Sequence, residues 1–211
     1  MVNVGAGTGS YEPVDRAVVA VEPSSVMLAQ RPAGAAPAVR GAAEHLPLPD
    51  GAVDVAMAVL TVHHWDDWRA GLRELQRVGR RQVVVTFDPA VHADTWIIRD
   101  YVPEIGELDA GRIPHAAIVE ALHARVVDLP LTREFADGLL GAFWCRPWAY
   151  LDPEVRSRMS GFVQVDRGAV DRAMERLADD LRSGAWERRY PELAGRAAHD
   201  AGFRLLISGP G

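Results

Sequence analysis

The spacing of apolar and polar residues changes period several times along the chain. Val2–Val4 is an unbroken apolar run entering Gly5-Ala6-Gly7-Thr8-Gly9, the pattern of a buried parallel strand closed by a tight glycine turn. Residues 17–21 repeat the apolar run and end in Glu22-Pro23. Ser24 or Ser25 caps a short helix reaching Gln30, and the Pro-, Gly- and Ala-rich stretch 31–38 reads as a connector. The turn-rich segment 46–51 leads to another strand, Val53–Val59, followed by His63-His64-Trp65. From Asp66 the period becomes helical: Trp65, Trp68, Leu72 and Leu75 share one face, with Asp66 and Asp67 at the positive end of the dipole and Arg77, Arg80 and Arg81 at the negative end. Residues 82–87 form a further apolar strand closed by Asp88-Pro89.

Strands alternating with helices predict an α/β fold, a parallel sheet with helices on both faces. Beyond Pro89 the pattern predicts helices at 116–123, 134–144, 153–163 and 166–183, and strands at 126–131 and 203–207.

Composition narrows the chemistry. Across 211 residues the 23 basic side chains are all arginine, which excludes Schiff-base lysine catalysis and a phosphate-loop lysine. A net charge of −6 argues against a broad nucleic-acid footprint. Cys145 is the only cysteine, so neither an intramolecular disulfide nor a cysteine-rich zinc site forms, in keeping with a reducing, cytoplasmic location. The longest apolar stretch is too short to span a bilayer, and no membrane partner is expected. One domain over residues 1–211 is the expectation.

The glycines follow Gly-x-Gly-x-Gly, so the third glycine of the dinucleotide fingerprint would fall at Ser10 and is missing. Glu22 ends the second strand 17 positions after Gly5, where a carboxylate accepts hydrogen bonds from both ribose hydroxyls of an adenosine. These features favour ribose recognition over pyrophosphate recognition.

Residues 2–9, 18–23, 43–49 and 53–64 together resemble the class I, Rossmann-like methyltransferases that use S-adenosylmethionine, and within them the branch containing the ubiquinone and menaquinone biosynthesis enzymes. The resemblance covers residues 1–89 and implies a three-layer α/β/α sandwich around a mostly parallel, seven-stranded sheet, with helical additions late in the chain. It divides the domain into a cofactor-binding half at 1–89, a substrate-selecting helical region at 90–200 and a final strand at 203–207. It further implies S-adenosyl-L-methionine as cofactor, S-adenosyl-L-homocysteine as product, no metal and a small-molecule acceptor.

By the same resemblance the backbone at Gly5, Ala6, Gly7 and Gly9 passes beneath the methionine part of the cofactor, and Glu22 holds its ribose. Pro23 and Met27 pack on the adenine, Ala43 and Glu44 meet its edge, and Leu60 and His64 face the methionine and the methyl group. Asn3 stands where the family usually has Asp; it retains a hydrogen bond to the cofactor amino group but not the charge. Ala42 replaces a residue that is often acidic or polar, and 10–16 is short for the usual first helix, which is expected to be reduced to a turn. Family members carry helices before the first strand that cover the cofactor, so either the natural domain is longer than this chain, which is the expectation, or later segments supply the cover.

His64 is the candidate general base, the alternative being that His63 or His64 caps the next helix or shapes the pocket. Tyr11, Trp96, Arg99, Tyr101 and Trp144 are the candidate substrate residues, each weighed against a packing role, and Arg99 against pairing with Asp100 or Glu104. Two further functions compete. A nicotinamide-dependent oxidoreductase is disfavoured by the glycine spacing and by the lack of the lysine of a Tyr-x-x-x-Lys pair, and a non-catalytic cofactor-binding protein is suggested by Asn3 and Ala42.

Overall fold

The computed structural model describes residues 1–210 and resolves into two compact units, one formed by residues 1–87, 113–127 and 204–210, the other by 88–112 and 128–203. Segment 113–127, which the sequence division assigned to the substrate-selecting region, thus builds with the sheet.

The strands are β1 (Val2–Val4), β2 (Val19–Glu22), β3 (Ala38–Arg40), β4 (Val53–Val59), β5 (Gly79–Phe87), β6 (Arg125–Asp128), β7 (Leu131–Thr132), β8 (Ala198–His199) and β9 (Phe203–Ser208). Seven of them form one mostly parallel sheet in the order β3-β2-β1-β4-β5-β9-β6, the Rossmann-like α/β arrangement, while β7 and β8 pair antiparallel elsewhere. β1 lies between β2 and β4 and is parallel to both, with Val4 opposite Val21 and Val2 opposite Ala56. Chain order reverses at β1, so the carboxyl ends of β1, β2 and β4 border a topological switch point, where open α/β sheets bind ligands.

The helices are α1 (Ser25–Ala29), α2 (Trp68–Val78), α3 (Pro89–Ala93), α4 (Pro103–Ala110), α5 (His115–Leu122), α6 (Pro153–Ser157), α7 (Ser160–Gln164), α8 (Arg167–Ser183) and α9 (Ala185–Arg189). α2 is capped by Asp67, whose carboxylate accepts the Ala70 N–H at 3.0 Å, and it buries Gly71, Leu72, Leu75 and Val78. Those side chains join Val2, Val4, Ala56, Ala58, Val84, Ile118, Leu122 and Leu206 in the core of the sheet unit. The segment between Gly5 and Arg16 forms turns, as its shortness predicts.

The second unit is built around aromatic rings. Trp96 packs edge-to-face on Tyr101, Tyr150 and Trp186 at 5.3–5.7 Å between centroids, and its indole N–H donates to the Trp144 carbonyl at 2.9 Å.

Besides elements the pattern did not predict, such as Pro103–Ala110 and Ala185–Arg189, the secondary structure departs from the predicted pattern in four places. Ala38–Arg40 is the edge strand β3 although all three residues are exposed; its pairing with β2, not a buried face, defines it. The helix predicted at 134–144 is a series of turns, because Gly141 adopts φ 90° and a Cβ there would lie 2.9 Å from that of Ala201. The strand predicted at 126–131 is split at Leu129-Pro130 into β6 and β7. The helix predicted at 153–163 breaks at buried, extended Met159 into α6 and α7.

Candidate functional site

The chain leaving β1 folds over the end of β2: the Gly5 and Ala6 N–H groups both donate to the Val21 carbonyl, at 2.8 and 3.1 Å. Gly7 therefore arrives above Glu22. The buried Glu22 carboxylate accepts the Gly7 N–H on Oε2 at 2.8 Å and the Ser24 N–H on Oε1 at 2.9 Å. Each oxygen is engaged by one backbone donor, and a carboxylate offers about four acceptor positions, so acceptor capacity remains on both oxygens.

Ser24 also caps α1, its hydroxyl accepting the Met27 N–H at 3.3 Å. The Met27 side chain is 45% exposed, unusual for a methionine, and its sulfur is 3.7 Å from where a Gly7 Cβ would stand. An apolar, polarisable side chain thus borders the glycine loop. Pro23 beside it is also exposed.

The three glycines do different work. A Cβ on Gly5 would lie 2.1 Å from Thr61 Oγ1, so its bareness admits the Thr61 side chain from the end of β4, not a ligand. Gly7, at φ 55°, faces open space apart from Met27 and is the position where a ligand can approach the backbone. Gly9 lies against the Arg31 and Glu12 side chains. Asn3 and Ala6 are buried at and just after β1, and Tyr11 is 39% exposed on the following turn.

The remaining candidates of this unit follow β3 and β4. Gly41 donates to the Glu22 carbonyl at 3.3 Å, bringing the segment after β3 alongside the end of β2. Ala43 is buried, and the Glu44 carboxylate accepts the Asp67 N–H at 3.2 Å just before α2. This segment is fastened by Arg77, which donates to the Leu46 and Leu48 carbonyls at 3.1 and 2.8 Å, and by Glu74, which accepts the Leu46 N–H at 2.7 Å. The Arg77 hydrogen bond holds the Glu74 carboxyl below its ordinary value.

Leu60 has φ 52°, a conformation a leucine rarely adopts. Its N–H donates to the Val85 carbonyl at 2.9 Å, so the strain sits where β4 gives way to the Val62–His64 turn. His64 is exposed, its ring 4.0 Å from that of half-buried His63. A groove of about 830 Å³ opens at the other ends of the strands, lined by Met1, Val14, Ala17, Pro37 and Val53 among others. Glu22 is not among the residues that line it.

In the second unit, Trp96, Tyr101 and Trp144 are buried, 4%, 2% and 1% exposed. Their packing is that of core residues rather than of an open pocket wall. The Tyr101 hydroxyl donates to Asp180 at 2.7 Å, and burial pushes its pKa well above the ordinary phenol value. Arg99 forms one of the surface pairs the sequence allowed, donating to Asp100 at 2.9 Å, and a second, unforeseen one with Asp94 at 3.1 Å. Sequence reasoning missed Thr61, Glu12 and Arg31, and the contacts of Glu74 and Arg77 with Leu46 and Leu48, all of which join positions far apart along the chain.

Residues 2–87 match the family described as Methyltransferase domain. A candidate methyltransferase from an antibiotic biosynthesis pathway of Anabaena variabilis ATCC 29413 is similar over nearly the whole chain: 31% identity, TM-score 0.91, covering 99% of this chain and 90% of that one. The chain belongs to the class I, Rossmann-like S-adenosylmethionine-dependent methyltransferase family. Two further solved structures share the fold with this family member. A candidate methyltransferase from Bacillus halodurans C-125 has 14% identity and a TM-score of 0.52 over 98% of this chain and 89% of that one. The [4+2]-cyclase SpnF has 18% identity and a TM-score of 0.53 over 100% of this chain and 75% of that one. Among curated protein sequences none matches the chain. Among the described residues no helix is long and apolar enough to cross a membrane.

Proposed function

We propose that this chain binds S-adenosylmethionine at the carboxyl ends of β1 and β2 and transfers its methyl group to a small-molecule acceptor by in-line displacement, releasing S-adenosylhomocysteine. The Glu22 carboxylate carries the reading. It is buried at a strand end, steadied by the Gly7 and Ser24 N–H groups, and keeps an acceptor position on each oxygen for a vicinal diol. The space beside Gly7 and the exposed Met27 side chain fit the flat, apolar body of an adenosyl group.

When bound, S-adenosylmethionine supplies a methyl group on a positively charged sulfur, so the protein contributes position and electrostatics. Glu22 anchors the ribose, the backbone around Gly7 lies along the methionine part, and Pro23, Met27, Ala43 and Glu44 border the adenine. Asn3 hydrogen-bonds the cofactor amino group without adding a charge. His64, exposed just past β4, accepts at an imidazole nitrogen the proton an O–H or N–H acceptor sheds. The antibiotic-pathway relative supports an acceptor of small-metabolite size.

A second reading, binding without transfer, draws on Asn3, a neutral residue buried where the family usually has an acid. Incubation with methyl-labelled S-adenosylmethionine and a small-metabolite extract separates the two. The transferase reading expects label in a new small molecule, dependent on the protein and lost in the Glu22→Ala variant. Tight binding with no labelled product would favour the second.

A further inference from the structure

Behind the glycine loop lies an ion pair to which the proposed function gives no role. Arg31 Nη2 and Glu12 Oε1 are 2.5 Å apart, and their side chains are only 7% and 8% exposed. Both ends are also tied to backbone. Arg31 Nη2 donates to the Ala36 carbonyl at 3.0 Å, and Glu12 Oε2 accepts the Ala36 N–H at 3.0 Å. The remaining arm, Arg31 Nη1, donates to the Gly7 carbonyl at 3.2 Å.

A buried ion pair is a poor source of stability, since removing two charges from water offsets their attraction and a well-packed apolar pair commonly holds a fold as well. What this pair adds is direction. Gly7 is gripped from both sides, its N–H by Glu22 Oε2 and its carbonyl by Arg31 Nη1, while its φ of 55° lies in the left-handed region. A turn of the Gly7 backbone would break both contacts. Losing the Gly7 N–H would release Glu22 Oε2 from the orientation that leaves its other acceptor position outward. Gly9 completes the arrangement: a Cβ there would crowd the pair, standing 3.2 Å from both Arg31 Nη1 and Glu12 Oε2, and the φ of 94° favours glycine.

We propose that Arg31, held by Glu12, is a positioning residue for cofactor binding, fixing Gly7 so that its N–H aims the Glu22 carboxylate at the ribose diol. The inference rests on the reading of Glu22 as the ribose acceptor. Arg31 touches no cofactor atom in this account; it acts through Gly7.

The test is calorimetric titration with S-adenosylhomocysteine of the unmodified chain, Glu12→Gln/Arg31→Met, Glu22→Ala and the triple variant. Removing both charges together leaves no unpaired buried ion, although Arg31→Met also withdraws the donors to the Ala36 and Gly7 carbonyls, so the unfolding midpoint is expected to fall by about 4–8 °C with the variant still folded. Affinity is expected to fall about tenfold in the double variant, yet not to fall further when the same changes are added to Glu22→Ala, because the link through Gly7 is already cut. Arg31→Lys, which keeps the charge but not the three-way fork, is expected to bind with intermediate affinity, and it carries the comparison if the double variant does not fold. Undiminished affinity in the double variant, or equal losses in both backgrounds, would overturn the positioning role while leaving Glu22 in place. Failure of the unmodified chain to bind would overturn the Glu22 reading and this one with it.

Discussion

Glu22 Oε2 and the Gly7 N–H, 15 positions apart in sequence, are joined by a 2.8 Å hydrogen bond that ties the glycine loop to the end of the neighbouring strand. One carboxylate thus shapes the loop and keeps acceptor positions for a ligand. Replacing it affects both. Glu22→Ala is expected to weaken S-adenosylhomocysteine binding by about 1–3 kcal/mol, the range for a lost charge-assisted hydrogen bond. Titration of the purified variant checks this, and an unchanged affinity would remove Glu22 from the site.

Gly5 and Gly7 are expected to respond differently to alanine. Gly5→Ala drives a Cβ to 2.1 Å from Thr61 Oγ1, so folding stability should fall steeply and recover only in part when Thr61 is also replaced by glycine, because the left-handed backbone of Gly5, φ 67°, stays strained by a Cβ. Gly7→Ala meets only Met27, at 3.7 Å, and should cost about 1–2 kcal/mol of stability from its left-handed backbone. Its larger effect should be on ligand affinity. Urea unfolding and titration on the two variants separate these outcomes.

Much of this arrangement is legible in the sequence. The apolar runs at Val2–Val4 and Val53–Val59, the Ser24 cap and the Asp67 cap all appear where local patterning puts them, because each is decided by residues within a turn or two. The place of Glu22 at the end of β2 is legible for the same reason, being set by the apolar run just before it. Gly5 is not, since the Thr61 side chain that claims its space comes from another strand. The Arg31 grip on Gly7 spans 24 positions and leaves no periodic signal. Trp96, Tyr101 and Trp144 show the converse limit, because an aromatic cluster in sequence looks alike whether it lines a pocket or, as here, packs a core.

That packing is measurable. Trp96→Phe removes the 2.9 Å hydrogen bond to the Trp144 carbonyl and leaves that buried acceptor unpaired beside a small void, with an expected cost of about 2–4 kcal/mol. A variant of undiminished unfolding midpoint would show that the ring is not a structural element of the second unit.

Stability should fall on acidification in two stages. Burial holds the His199 imidazole below its ordinary 6.5, so the folded form resists protonation and its contribution, full above 6.5, is lost as pH drops through the folded value. The hydrogen bond from Arg77 holds Glu74 below its ordinary 4.5, and that contribution is lost only as pH falls below 4.5. Urea midpoints followed from neutral to acid pH should show the upper stage flattened in His199→Gln and the lower stage reduced but not abolished in Glu74→Gln, because Asp100 and Asp109 are also held below their ordinary values.

The most direct measurement is calorimetric titration of the unmodified chain with S-adenosylmethionine, S-adenosylhomocysteine and NAD. The account predicts saturable one-to-one binding of both adenosyl ligands and none of NAD, whose pyrophosphate finds no third glycine at Ser10. Binding of NAD alone, or of none of the three, would contradict it.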